Sequence, residues 1–180
     1  MTEKPIEIDV GALTDEVHTR LGQALATFSN LESQLALIFG WLLYPADQET
    51  ALIAFDAIGL LQPKIRTLRA AARHCLETDD LKRLEALLKR VSARSDVRNK
   101  LAHWTVSFHP PVRSAADAIN AEARLVPPWF SAKNLRMAPD ETVTAKEIRD
   151  FTVACGRLGN DLMQFVMHLQ NRPRAASATK

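Results

Sequence analysis

Residues 144–170 read TAKEIRDFTVACGRLGNDLMQFVMHLQ, and this stretch decides the fold. Thr144 and Glu147 stand three positions apart at its start, the spacing at which each side chain can cap the other's backbone N–H and open a helix. Behind them Ile148, Phe151, Cys155, Leu158, Leu162, Phe165 and Leu169 recur at alternating steps of three and four. That period puts all seven on one helix face and suits near-parallel packing against other long helices in a bundle.

Working towards the N-terminus, four more helical segments stand out. The first is predicted from about Thr14 to Tyr44, with Thr14 as cap and Asp15 and Glu16 in the first turn. Its apolar stripe is Leu13, Val17, Leu21, Leu25, Phe28, Leu31, Leu35, Ile38 and Leu42, and Pro45 ends it. A shorter segment, Asp47 to Ile58, stops at Gly59. The third opens at Pro63 and turns Ile65, Leu68, Ala72 and Cys75 or Leu76 inward. The fourth runs from about Asp80 to His103, with Thr78, Asp79 and Asp80 as cap candidates.

Residues 104–142 have another character. Trp104 to Phe108 alternates apolar and polar, Pro110-Pro111 stops it, and Ala123–Phe130 and Asn134–Met137 are further strand-like pieces. A connection this long folds on itself or has a task. The expected architecture is therefore all-α: an antiparallel four- to five-helix bundle with a small β-hairpin or irregular insertion before the last helix. Residues 1–172 read as one domain, and 173–180 as a flexible tail.

Composition is that of a globular chain, with 47% hydrophobic and 24% charged residues. The N-terminus has no signal-peptide pattern, and the longest apolar run, Leu35 to Ala46, is interrupted by Gly40 and Pro45. Cys75 and Cys155 lie far apart and read as thiols rather than a disulfide framework. No membrane association is expected, and the cytoplasm is the expected compartment. The net charge of +2 is unevenly spread: Leu61 to Lys100 carries eleven Lys or Arg against five Asp or Glu. Such a block either attracts phosphates or is simply the solvated face of two helices.

The fourth helix carries the residues of chemical interest. At about 100° per residue, Leu81, Leu84, Leu87, Leu88 and Val91 share one arc, and its continuation falls on Ser95, Arg98 and Ala102, with Asn99 at the edge. A guanidinium thus arrives where apolar residues are expected, while Val97 and Leu101 point elsewhere as a second apolar patch. A half-buried arginine needs a partner. Glu32, on the inward side of the first helix, is the candidate, and an Arg98–Glu32 pair closing the bundle end is the purely structural reading. His103 lies four residues beyond Asn99 and shares its face. Arginine beside a titratable histidine suits phosphate esters: one neutralises charge on the phosphate oxygens, the other moves a proton.

Arg98-Asn99-Lys100-Leu101-Ala102-His103 resembles the signature of the HEPN superfamily (higher eukaryotes and prokaryotes nucleotide-binding). That signature is an arginine, a polar residue, and a histidine after four to six intervening positions, late in a long helix of a helical bundle. Phe28 with Leu31-Glu32 resembles a second element often found in the first helix. The resemblance implies a metal-independent endoribonuclease without a cofactor, in which two motifs meet at a homodimer cleft. Arg98 would hold the scissile phosphate, His103 would act as general base or acid for attack by the ribose 2′-hydroxyl, and Asn99 would position them. Glu32 and Ser95 would support the site. Arg90, Arg94 and Lys100, on the basic helices, would hold the RNA backbone, and Val97 and Leu101 would serve the dimer. Such nucleases often belong to toxin–antitoxin or phage-defence systems, sometimes with a nucleotidyltransferase-type antitoxin. Other members of the superfamily are non-catalytic modules that bind RNA, nucleotides or proteins.

Other signals carry less. His18, His74, His109 and His168 show no metal-ligand spacing. Gly156 and Gly159 lie within a helical pattern, as aids to close helix packing rather than a phosphate loop. Met163 and Met167 read as core or interface. Trp104 and Trp129 either cover the bundle end or stack on bases.

Overall fold

In a computed structural model of the chain, residues 10–44, 47–109, 122–128 and 142–172 are described. They form α1 (Val10–Leu42), α2 (Gln48–Asp56), α3 (Leu61–Cys75), α4 (Thr78–His103), β1 (Thr105–His109), β2 (Glu122–Val126), β3 (Val143–Thr144) and α5 (Ala145–Gln170). The described fold is mainly helical with a small antiparallel sheet. No helix among these residues is long and apolar enough to cross a membrane. The expected strand at Asn134–Met137, Trp129 and the tail from 173 lie outside the described residues.

The chain divides into two compact units, one drawn from Phe28–Ser95 and Cys155–Lys180, the other from Met1–Thr27 and Asp96–Ala154. In the first, the α1 stripe from Phe28 to Leu42 is buried together with Phe55 of α2, Ile65, Leu68 and Ala72 of α3, and Leu84, Leu87, Leu88 and Val91 of α4. Cys155, Leu158, Leu162, Phe165 and Leu169 of α5 complete this core. Phe39 and Phe55 lie with ring centroids 4.9 Å apart. Gly159 is buried, and a Cβ there would lie 3.4 Å from Leu31 and from Gln34. The close packing expected of the two glycines therefore holds for Gly159 but not for Gly156, where a Cβ would meet nothing within 4 Å.

The helix ends are held by identifiable contacts. Asp47 caps α2: Oδ2 accepts from Thr50 Oγ1 at 2.6 Å and from Thr50 N at 3.0 Å, and these bonds, the hydroxyl's foremost, hold its carboxyl below the ordinary range. At the start of α4, Asp80 is buried at 6% exposure. His168 Nε2 lies 3.0 Å from its Oδ1, and Arg172 Nη1 lies 2.6 Å from its Oδ2 as an ion pair rather than an aligned hydrogen bond. Asp80 in the first turn of α4 and Arg172 just beyond the end of α5 both complement the helix dipoles.

In the second unit, β1 and β2 form the expected hairpin, Thr105 opposite Val126 through His109 opposite Glu122. β3 adds a third antiparallel strand, with Leu125 opposite Val143. Ala123 and Leu125 point inward, and they are buried along with Val17, Ala24, Leu101, Val143, Ile148 and Phe151. The capping box that opens α5 is complete: Thr144 N donates to Glu147 Oε2 at 2.8 Å, and Glu147 N donates to Thr144 Oγ1 at 3.2 Å.

Some boundaries and faces differ from expectation. α1 is helical from Val10, so Thr14 is not its cap; its hydroxyl donates to Gly11 O within the helix. Cys75 is exposed and Leu76 half-buried, because α3 ends at Cys75 and neither continues its inward stripe. The final turns of α4 bury Leu101, at 1% exposure, while Ala102 is exposed. The arc expected to face the core through Ala102 is thus not the one covered, and Leu101 is an interior residue of this chain rather than part of an exposed apolar patch. These turns belong to the second unit, in which Ala123 and Leu125 of β2 are also buried.

Candidate functional site

The Arg98–His103 segment forms the last turns of α4, and each side chain's position follows from Leu101 facing inward. Asn99, Ala102 and His103 are exposed, and Arg98 is half-buried at the margin of the covered side. Arg98 Nη1 donates to Asn99 Oδ1 at 3.3 Å. Asn99 and His103, four residues apart, share the exposed face as expected. Lys100 and His103 occupy the last turn, where unpaired carbonyls favour cations. Lys100 Nζ lies 5.1 Å from the centroid of Trp104, a cation–π distance. The half-buried Trp104 thus packs back on the helix that precedes it.

The supporting residues take other roles. Glu32 Oε2 lies 3.5 Å from Lys64 Nζ, which gives this carboxylate a cation on α3. Lys64 is one of two buried charged residues among those described, and a buried ammonium requires a carboxylate. Ser95 is half-buried and turned to its own helix, its hydroxyl donating to Ser92 O at 2.7 Å. Arg90 Nη1 donates to Asp161 Oδ2 at 2.7 Å. That pair walls a depression of about 260 Å³ between α4 and α5, lined also by Arg83, Ala86, Leu87 and Gln164. Arg94 is half-buried, and its charge opposes the burial that pushes the Cys155 thiol up to about 11.

Two residues escaped the sequence reading. Asp96 is exposed three residues before Asn99 and seven before His103, so it continues their face by one turn. Its spacing could have revealed it. Lys64 could not have been found this way, since it sits in a segment rich in solvated cations. Among the described residues, no three or more His, Cys, Asp or Glu side chains are grouped to hold a metal ion.

On these residues' chemistry, an exposed imidazole, an amide and a guanidinium on adjoining turns can bind an anion and exchange a proton with it. Comparison with protein-family models, curated proteins and solved structures finds no match.

Proposed function

We propose that this chain is a metal-independent endoribonuclease of HEPN type, acting as a homodimer in the cytoplasm as a toxin or defence component. The observation that carries the reading is the Arg98-Asn99-x-x-x-His103 pattern in the last turns of a long helix, with Asn99 and His103 together on its exposed face. In the proposed reaction the ribose 2′-oxygen bonds to phosphorus and the bond from phosphorus to the 5′-oxygen breaks. His103 of one copy takes the 2′ proton, and the same residue of a second copy gives a proton to the departing oxygen. Arg98 neutralises charge growing on the non-bridging oxygens, and Asn99 orients Arg98 through the contact the two make. The products are a 2′,3′-cyclic phosphate and a 5′-hydroxyl. A nucleotidyltransferase-type antitoxin is the expected partner.

The test is incubation with mixed cellular RNA in EDTA, beside His103→Ala and Arg98→Ala. Cleavage leaving cyclic phosphate ends, lost in both variants, supports the proposal. RNA binding without cleavage at high protein concentration favours the second reading, a non-catalytic RNA-binding module, for which the cationic character of α3 and α4 speaks.

A further inference from the structure

Two contacts fix how α3 and α4 run beside one another. Gln62 Nε2 donates to Ser92 Oγ at 2.8 Å, and Arg69 Nε donates to both oxygens of Glu85 at 2.8 Å. Moving seven residues forward on α3 moves seven back on α4, so the helices are antiparallel in a defined register. Arg66 then stands within one residue of the level of Lys89, and Arg73 within one residue of that of Lys82. All four are exposed, whereas the inward neighbours Leu88, Leu68 and Ala72 are buried. Exposed cations from both helices therefore border the same seam at two levels. The two pairs are seven residues apart, about 10.5 Å along the helices.

Neighbouring cations raise the energy of the free protein and are relieved by an anion that lies between them. Glu85 already serves Arg69. Lys82 has a contact with Asp79 at 3.7 Å, with both side chains largely exposed, which is a weak pair. Among the described residues no ion pair joins Arg66, Arg73 or Lys89 to a carboxylate. Among the described residues the exposed large apolar side chains are Tyr44, Ile53, Leu60, Val153, Met163 and Met167, none of them within α3 or α4. The seam thus lacks the aromatic and apolar anchors of a protein interface or an inserted membrane helix. It has only what a phosphodiester backbone needs.

We propose that the outer seam of α3 and α4, with Arg66, Lys89, Arg73 and Lys82, is a binding track for a single-stranded polynucleotide backbone. The choice of RNA over DNA rests on the ribonuclease reading; the track itself does not. It contacts phosphates and no bases, so its binding is sequence-independent and strongly salt-dependent. It also differs from the set Arg90, Arg94 and Lys100 expected from sequence, of which Arg90 is engaged with Asp161 and Lys100 with Trp104.

The experiment measures fluorescence anisotropy of labelled single-stranded RNA and DNA 20-mers with the full chain carrying His103→Ala, so that cleavage plays no part. The comparison is with the same chain carrying in addition Arg66→Ala, Arg73→Ala, Lys82→Ala and Lys89→Ala. A second comparison carries Lys146→Ala, Arg149→Ala and Arg157→Ala, exposed cations elsewhere. The four-residue variant is expected to lose affinity by about tenfold or more at low salt and to flatten the log–log salt dependence by about three units. The Lys146/Arg149/Arg157 variant should lose far less. Equal losses in both variants, no binding by the parent, or binding to anionic lipid vesicles without binding to either oligonucleotide would each overturn the track. Equal RNA and DNA binding through the track supports it while removing its link to the ribonuclease reading, which the cleavage assay tests separately. Circular dichroism checks folding, and a variant that has lost helicity is replaced by the Arg66→Gln, Lys89→Gln pair.

Discussion

Lys64 Nζ lies 3.5 Å from Glu32 Oε2 and 5.7 Å from the centre of the Phe55 ring, so one buried ammonium joins α3 to α1 and α2. Asp56 adds a longer contact at 3.8 Å through an exposed carboxylate. Removing one member of such a pair leaves the other desolvated without a counter-charge. Glu32 retains 26% side-chain exposure, so the cost falls below that of a fully buried pair. Lys64→Ala is expected to lower stability by about 2 kcal/mol, and Glu32→Gln by about 1 kcal/mol. Urea unfolding of both single variants and the double variant checks this. Strictly additive losses would show that the two residues do not act as a pair.

The two glycines of α5 should respond oppositely to added bulk. Gly156 faces open space, so Gly156→Ala gains helix propensity and is expected to stabilise by about 0.5–1 kcal/mol. Gly159 has Leu31 and Gln34 at 3.4 Å from where a Cβ would stand, and Gln34 Oε1 is already buried without a hydrogen bond. A large side chain there must push α1 away, and Gly159→Leu is expected to destabilise by about 1–3 kcal/mol. Thermal melts of the two variants measure the contrast.

These glycines show what was legible in the sequence. The α5 stripe was readable in full, because seven apolar residues at steps of three and four leave only one face to bury. The capping box was equally readable, being local chemistry between Thr144 and Glu147. The final turns of α4 were not. They belong to a different compact unit from the helix up to Ser95, so extrapolating from Val91 turned Ala102 inward and Leu101 outward. Glu32 was recognised as an anomalous inward carboxylate, but its contact with Lys64 was not, since periodicity marks a face without naming what lies opposite. The motif itself was visible as spacing. Its exposure was not, because that follows from Leu101.

The thiols should separate kinetically. Burial pushes the Cys155 thiol up to about 11, so almost none is thiolate near neutral pH and access requires opening of the α5 core. Partial burial also raises Cys75, but this residue is exposed at the end of α3. One equivalent of thiol reagent is expected to react quickly and the second only in denaturant. Cys75→Ser should remove the fast phase and keep the slow one; loss of the slow phase instead would contradict the placement of Cys155.

The α5 cap carries a pH signature. Hydrogen bonds from Thr144 N and Oγ1 hold the Glu147 carboxyl below its ordinary range, with Arg124 and Lys146 adding to the effect. A depressed folded value means that the stabilisation is complete above the unfolded carboxylate value and is lost as pH falls through the folded one. Glu147→Gln should therefore narrow the gap to the parent as acid is added from pH 5 downwards. Thr144→Ala, which breaks the cap at any pH, should cost about 1 kcal/mol at neutral pH. Denaturation midpoints recorded from pH 3 to 7 test both, and a Glu147→Gln deficit that does not change with pH would count against the charge as the cause.

Leu101 and His103, two residues apart, should divide stability from activity. Leu101 is buried at 1% exposure, and Leu101→Ala should cost about 2–4 kcal/mol through the cavity it leaves. His103 is exposed and ends its helix, so His103→Ala should shift stability by no more than about 0.5 kcal/mol. Under the ribonuclease proposal, the same substitution should abolish RNA cleavage in EDTA, and no stabilising mutation elsewhere should restore it. Activity lost by Leu101→Ala should instead return in part when Gly156→Ala raises the melting temperature. A His103→Ala protein that melts many degrees lower, with activity falling only in step, would make the imidazole a packing element. It would then remove the proposed base from the mechanism.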